Sequence, residues 1–138
     1  MNEKKTKILV IDDEQGIRDL FYLLLQPIGF EVITAKDGIE GIETFKKDNF
    51  DIVFLDVHMP GLQGPSVLKK IKEIKPDQIV VIFSSSSDPN FVFEEEATKK
   101  LGAYTCLYKP FDIKGILKII NEIQNKNKTE AFLWIKNQ

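Results

Sequence analysis

Residues 50–61, FDIVFLDVHMPG, constrain the fold more than any other stretch: four successive apolar residues, 52–55, stop abruptly at a carboxylate, Asp56. An unbroken apolar run with polar limits suits a strand buried on both faces, as in a parallel sheet covered by helices. Asp56 then lies where such a sheet opens into a crevice, beyond the C-terminal ends of its strands. A second apolar run, residues 8–11, leads into Asp12 and Asp13, and Lys109 follows a third, weaker one. Neighbouring strands running the same way would bring these three carboxylates and one ammonium together.

The rest of the chain alternates between two periods. Residues 6–11 read as the first strand, and Ile17, Leu20, Phe21 and Leu24 then recur at helical spacing until Pro27 and Gly29 close the element. Asp12, Asp13 and Glu14 fall at the start of this helix, where free amides favour negative charge. Residues 30–35 predict a second strand. Asp37 and Glu40 have capping-box spacing before a helix whose buried side is Ile39, Ile42 and Phe45. After Asp56 a turn-rich loop, with Met59-Pro60-Gly61 and Gly64-Pro65, leads to a third helix striped by Val67, Leu68, Ile71 and Ile74.

Residues 79–83 predict a fourth strand running into the serines Ser84 to Ser87. Asp88-Pro89 opens a helix with Phe93, Ala97 and Leu101 on one side, ended by Gly102. Residues 103–107 predict a fifth strand, and Asp112 starts a last helix burying Ile113, Ile116, Leu117 and Ile120. Alternating strands and helices with right-handed crossovers give an α/β fold with helices on both sides of a parallel sheet. Residues 1–125 form the domain. Residues 126–138, with Phe132 and Trp134, are a C-terminal extension that continues the last helix, docks on the domain or lies in an oligomer interface.

At 138 residues there is room for one domain only. The charge of −2 points to neither nucleic acid nor an anionic membrane as partner. One cysteine, Cys106, excludes an internal disulfide and a cysteine-based zinc cluster. No apolar run is long enough to cross a bilayer, and residues 1–7 are too polar to begin a signal peptide, so the expected location is cytoplasmic.

Carboxylates held within a few ångströms repel by roughly 4 kcal/mol per pair at an effective dielectric of 20, so the cluster needs a cation. Mg²⁺ suits hard oxygen ligands and retains exchangeable waters. With Asp12 and Asp13 neutralised, the Asp56 carboxylate is free to attack phosphorus and form an aspartyl phosphate. Lys109 and a serine hydroxyl supply charge and a donor for the phosphoryl group. The dinucleotide glycine fingerprint and the lysine-containing phosphate loop are absent. Phosphatases with an aspartate nucleophile want a second acid two residues on, where this chain has His58.

Asp12-Asp13, Asp56 with Met59-Pro60-Gly61 and Gly64 behind it, a hydroxyl residue after the fourth strand, and Lys109-Pro110-Phe111 together resemble the receiver domain of two-component response regulators. The likeness covers residues 7–124. It implies a five-stranded parallel sheet in the order 2-1-3-4-5 flanked by five helices, and a phosphoryl group passed to Asp56 from a sensor histidine kinase or a histidine phosphotransfer protein. It further implies that Asp13, Asp56 and the backbone carbonyl of His58 ligate Mg²⁺ and that Asp12 acts through a water or by orienting the cluster. Lys109 would hold Asp56 and then the phosphoryl group, and Pro110 would follow a cis peptide.

Ser84 lies 28 residues after Asp56 and Ser87 lies 22 before Lys109, and both spacings resemble the family. Ser84 is preferred as the hydroxyl partner, because the sheet holds strand ends while loops absorb insertions; Ser85 then offers its backbone amide to the phosphoryl group. The aromatic switch position of the family is occupied by Cys106, with Tyr104 and Tyr108 flanking it and neither a simple replacement. Cysteine gives a rotamer change less leverage, so output is expected to be altered. In isolation, His58 reads as an exposed loop residue and Cys106 as a small buried one.

The expectation is a phosphorylation-controlled switch. It catalyses at most its own aspartyl phosphorylation and dephosphorylation, and no output domain follows it. Its signal would reach a downstream protein through the face made by residues 88–101, 103–107 and the last helix, and homodimerisation is a further expectation. The rival reading is a receiver-like module that binds a partner without being phosphorylated.

Overall fold

A computed structural model describes residues 4–57, 59, 64–85, 96, 99–109 and 112–137. Five parallel strands, β1 (Lys7–Ile11), β2 (Glu31–Ala35), β3 (Ile52–Asp56), β4 (Val80–Ser85) and β5 (Thr105–Lys109), form one sheet in the order β2-β1-β3-β4-β5. The expected strand order is therefore the observed one. β3 is buried at every position, as its unbroken apolar run requires. Its register sets Leu55 beside Ile11 on one side and Asp56 beside Phe83 on the other.

Helices cover both faces. On one, α2 (Gly38–Lys47) and α3 (Gly64–Ile74) pack Phe45, Val67, Leu68 and Ile71 onto Leu9, Ile11, Val53 and Leu55. On the other, α1 (Gln15–Leu25) and the C-terminal helix (Ile113–Lys136) pack Phe21, Leu25, Ile116, Ile120 and Ile123 onto Ile8, Val10, Phe54, Val81 and Phe83. Phe21 bridges the second layer, its ring centroid 4.9 Å from that of Phe54 and 6.0 Å from that of Phe83. α1 ends in a short 3₁₀ turn (Gln26–Ile28) closed by Gly29 at φ 103°, a left-handed conformation that glycine adopts without strain. Asp37 and Asp112 cap their helices as the sequence predicts, accepting from the amides of Glu40 (2.8 Å) and Gly115 (3.0 Å).

Several details differ from the expectation, while the helical course of the extension is one of the alternatives offered for it. Ile39 is 64% exposed, because α2 instead turns Gly38, Gly41 and Phe45 inward. At Gly41 a Cβ would lie 2.6 Å from Ile11 Cδ1, so the missing side chain sets how closely α2 approaches β1. Ile74, at the end of α3, is also exposed. β4 runs two residues beyond Phe83 and β5 is displaced two residues towards the C-terminus, because parallel pairing continues through Ser84 with Tyr108 and Ser85 with Lys109. Ladder hydrogen bonds thus extend the strands past the end of the apolar pattern. Lys109 is the last residue of a strand and not part of the loop behind it. The C-terminal helix passes residue 125 without a break, so the extension is helical as far as Lys136. Residues 88–95, which hold most of the expected helix before Gly102, lie outside the described residues.

Candidate functional site

Three strand ends meet at one side of the sheet. Asp12 follows β1 directly, its amide still donating to Ala35 O of β2 (3.1 Å). Its carboxylate is fully buried, and Oδ1 accepts from the Glu14 amide (2.8 Å) while Arg18 Nη1 donates to its backbone carbonyl (2.8 Å). Asp56 ends β3, and the next amide, Val57, donates to Phe83 O (3.1 Å), so the acid projects from a backbone held on both sides. Lys109 ends β5, and its Nζ lies 3.1 Å from Asp12 Oδ2, 3.2 Å from Glu14 Oε1 and 3.3 Å from Asp56 Oδ2, over the Phe83 ring at 5.3 Å.

Burial pushes the Asp12 carboxyl up to about 7, with the Asp56 charge adding to the rise and the Glu14 amide and Lys109 opposing it. Burial alone would lower the Lys109 ammonium, but the charges of Asp56 and Asp12 outweigh it and hold it above its ordinary 10.5. Asp12 Oδ2 is buried and makes an ion pair with Lys109, yet it accepts no hydrogen bond. One ammonium therefore serves more negative charge than it can neutralise.

Oxygens of Asp12, Asp13, Glu14 and Asp56 all lie within 4.8 Å of one another. A set of hard carboxylate oxygens at this spacing, with one buried oxygen lacking a hydrogen bond, can hold a divalent cation. Glu14 is the member that sequence reading missed. It was legible only as a helix-start residue; as the N-cap residue of α1 it makes no side-chain capping bond, and the side chain turns to Lys109 instead.

Asp12, Asp13, Asp56 and Lys109 are thus brought together. Ser84 and Ser85 end β4, with Ser85 in register with Lys109. His58, Ser87 and Pro110 lie outside the described residues. Cys106 is half-buried against the α2–α3 layer, whereas Tyr104 packs in the opposite layer and Tyr108 is exposed. α3 begins tightly against the acid: a Cβ on Gly64 would fall 2.8 Å from Asp56 O and closer still to Val57 Cα.

A five-stranded 2-1-3-4-5 sheet with an acid cluster and a lysine at its C-terminal edge defines the receiver class of flavodoxin-like folds. Residues 8–121 match the family model described as the response regulator receiver domain, and the chain belongs to that family. It is 35% identical over 116 residues to sporulation initiation phosphotransferase F of Bacillus subtilis, spanning 84% of this chain and 89% of that protein. It also matches a probable transcriptional regulator ycf27 of Porphyridium aerugineum at 33% identity over 131 residues, 90% of this chain but 53% of the relative. The chain thus spans about half the length of the transcriptional regulators it resembles.

Among solved structures, a response regulator receiver domain protein from Clostridium thermocellum superposes with TM-score 0.80 at 35% identity, covering 90% of this chain and 98% of that one. TrrA from Thermotoga maritima, in complex with Mg(2+)-BeF, gives TM-score 0.75 at 30% identity, covering 87% and 99%. The cluster and the family membership together make this a phosphorylation-based signalling switch.

Proposed function

We propose that Asp56 is the phosphoryl acceptor, loaded from the phosphohistidine of a sensor histidine kinase or a histidine phosphotransfer protein. The observation that carries this reading is the Lys109 ammonium held between the buried Asp12 and Asp56 carboxylates at 3.1 and 3.3 Å. An Asp56 oxygen attacks phosphorus in line with the departing imidazole, and its strand-end backbone keeps it from retreating. Lys109 leaves its carboxylate partners to pair with the incoming phosphoryl oxygens, and the Ser84 hydroxyl and Ser85 amide donate to the same group. The cation would be Mg²⁺, held by Asp13, Asp56 and the His58 carbonyl with Asp12 acting through a water or by orienting the cluster, and it would supply positive charge to offset the acids and the phosphoryl oxygens. The Mg(2+)-BeF complex of the Thermotoga relative supports that choice.

The signal passes by population shift to a protein docking on the face of residues 88–101, β5 and the C-terminal helix, with Cys106 giving the transition less leverage than an aromatic ring. The protein works in the cytoplasm; among the described residues no helix is long and apolar enough to cross a membrane. The test is incubation with acetyl phosphate or a kinase in Mg²⁺. An acyl phosphate that forms on the parent and is absent from Asp56→Asn supports the switch. No loading of a folded, metal-replete parent, with partner binding intact, would leave a binding module instead.

A further inference from the structure

Glu14 stands at a position of α1 that other residues fill better. It is the N-cap residue, with an extended backbone at φ −87° and ψ 116°, and its side chain accepts none of the free amides of the first turn. Serine, threonine, aspartate and asparagine are the strong caps, because a short side chain bearing an oxygen can close those amides. This chain uses them elsewhere: Asp37 and Asp112 each accept from an amide three residues on, at 2.8 and 3.0 Å. α1 forgoes that bond, and the side chain that forgoes it reaches Lys109 Nζ at 3.2 Å.

The same contact leaves a buried neighbour short of a donor. Lys109 hydrogen-bonds Glu14 Oε1 and Asp56 Oδ2, whereas Asp12 Oδ2, an ion pair at 3.1 Å, receives no hydrogen bond. The Glu14 side chain is 61% exposed and that of Asp12 is 0% exposed. Water can solvate the first acid and not the second, so burial alone would direct the donor to Asp12. The ammonium is instead drawn to the rim of the cluster, between Glu14 and Asp56. An exposed ion pair adds little to stability, and this one stands in place of a helix cap, so its effect is on where Lys109 is held.

We infer, on the reading of Asp56 as phosphoryl acceptor, that Glu14 is a positioning residue that restrains Lys109 and thereby slows phosphoryl loading. The ammonium must turn from the carboxylates to the phosphoryl oxygens as the new P–O bond forms. Glu14 competes with those oxygens for the same three N–H donors of the lysine. Its negative charge also opposes the approach of an anionic phosphodonor, so both effects act in one direction. The transfer itself is unchanged: an Asp56 oxygen gains phosphorus, the leaving group departs with the electron pair of the broken bond, and Glu14 neither gains nor loses a proton.

The test compares Glu14→Ser and Glu14→Asp with the parent, each a full chain loaded with acetyl phosphate. Mg²⁺ is raised until each rate no longer depends on it, so that Asp12 does not capture the released ammonium. Serine removes both the charge and the reach to Lys109, while aspartate keeps the charge but turns a shorter side chain to the helix amides. Expected is loading at least ~3-fold faster in Glu14→Ser, the scale of one unit charge taken from beside an anion in bulk-like water. Glu14→Asp shows a smaller gain, and both bind beryllofluoride in Mg²⁺ more tightly than the parent, in the same order. Both also melt above the parent, because each caps α1.

Parental rates in both variants, beside a parent that loads, overturn the inference and leave the acceptor reading intact. A gain in Glu14→Ser alone overturns it too, since charge would then act without any hold on Lys109. So does slower loading in either variant, or a lower melting temperature, which would make the contact a structural one. A half-saturating Mg²⁺ concentration raised ~10-fold or more would make Glu14 part of the metal site instead. A parent that takes up no phosphoryl group fails the acceptor reading itself, and the restraint with it.

Discussion

Among the described residues, one lysine at each end of the sheet lies against three carboxylates, and only one of these groups belongs to a cluster that can hold a cation. At the N-terminal end Lys7 Nζ lies 2.6 Å from Asp48 and 3.8 Å from Glu31, and its amide donates to Asp51 (2.8 Å). At the C-terminal end Lys109 sits among Asp12, Glu14 and Asp56. The two lysine side chains are almost equally covered, 16% and 15% exposed, but Asp48 and Glu31 are 42% and 44% exposed while Asp12 and Asp56 are 0% and 3%. The hydrogen bond from Lys7 holds the Asp48 carboxyl below its ordinary range; burial drives Asp12 the other way, to about 7. Similar composition therefore gives a screened surface pair at one end and unneutralised charge at the other. Reactivity comes from the carboxylates that lose water.

The sharpest way to break this comparison is to exchange an acid for its amide at each end. Asp56→Asn abolishes acyl phosphate formation from acetyl phosphate or a kinase, because no carboxylate remains at the acceptor position. Asp48→Asn leaves loading at the parental rate. Equal losses from both would mean that the acceptor end has no special chemistry.

The lysines give the next largest contrast. Lys109→Met removes the cation between two buried acids and destabilises the metal-free protein by about 2–4 kcal/mol, read from urea unfolding. Mg²⁺ recovers part of that loss, since a cation is what the acids lack. Lys7→Met shifts the urea midpoint far less and in a way that Mg²⁺ does not alter.

Much of this site was legible beforehand, for a physical reason. Buried parallel strands must be continuous apolar runs, so the residues that end them, Asp12 and Asp56, announce themselves as abrupt polarity. Lys109 was harder to place: β5 is only half-buried, its apolar pattern is weak, and its limits are set by pairing with β4 through Ser85. Glu14 was unreadable as a site residue because its position depends on a lysine 95 residues away. Ile39 misled because its apolar side chain fits the helical stripe, whereas the face turned inward is chosen by two glycines that carry no hydrophobic signal.

Gly64 tests whether the acceptor end depends on backbone packing as well as charge. Gly64→Ala forces α3 away from Asp56 O and Val57 Cα, where the contact is with backbone that cannot rotate aside. The expected loss is about 1–3 kcal/mol, with a fall in the phosphorylation rate greater than that of Gly16→Ala, where a Cβ meets nothing within 4 Å.

The smallest effect separates the two ends by sign. Because folding raises the Asp12 pKa from 3.8 to about 7, the folded chain binds more protons than the unfolded chain between those values. Its contribution to stability is fully present below about 4 and declines as pH rises through about 7. At the other end Asp48, with a lowered pKa, contributes in the opposite direction: present above its ordinary 3.8 and lost as pH falls below it. In chelator, urea midpoints should therefore fall between pH 5 and 8, against the usual trend for carboxylates. Asp12→Asn, which keeps the Oδ1 acceptor for the Glu14 amide, should flatten that slope and stabilise the metal-free protein by about 1–3 kcal/mol at pH 8. Added Mg²⁺ should raise the parent's midpoint more at pH 8 than at pH 5, since protons and the cation compete for the same carboxylate. A slope unchanged by Asp12→Asn would mean that charge at this end is already balanced by Lys109, and the distinction between the two lysines would disappear.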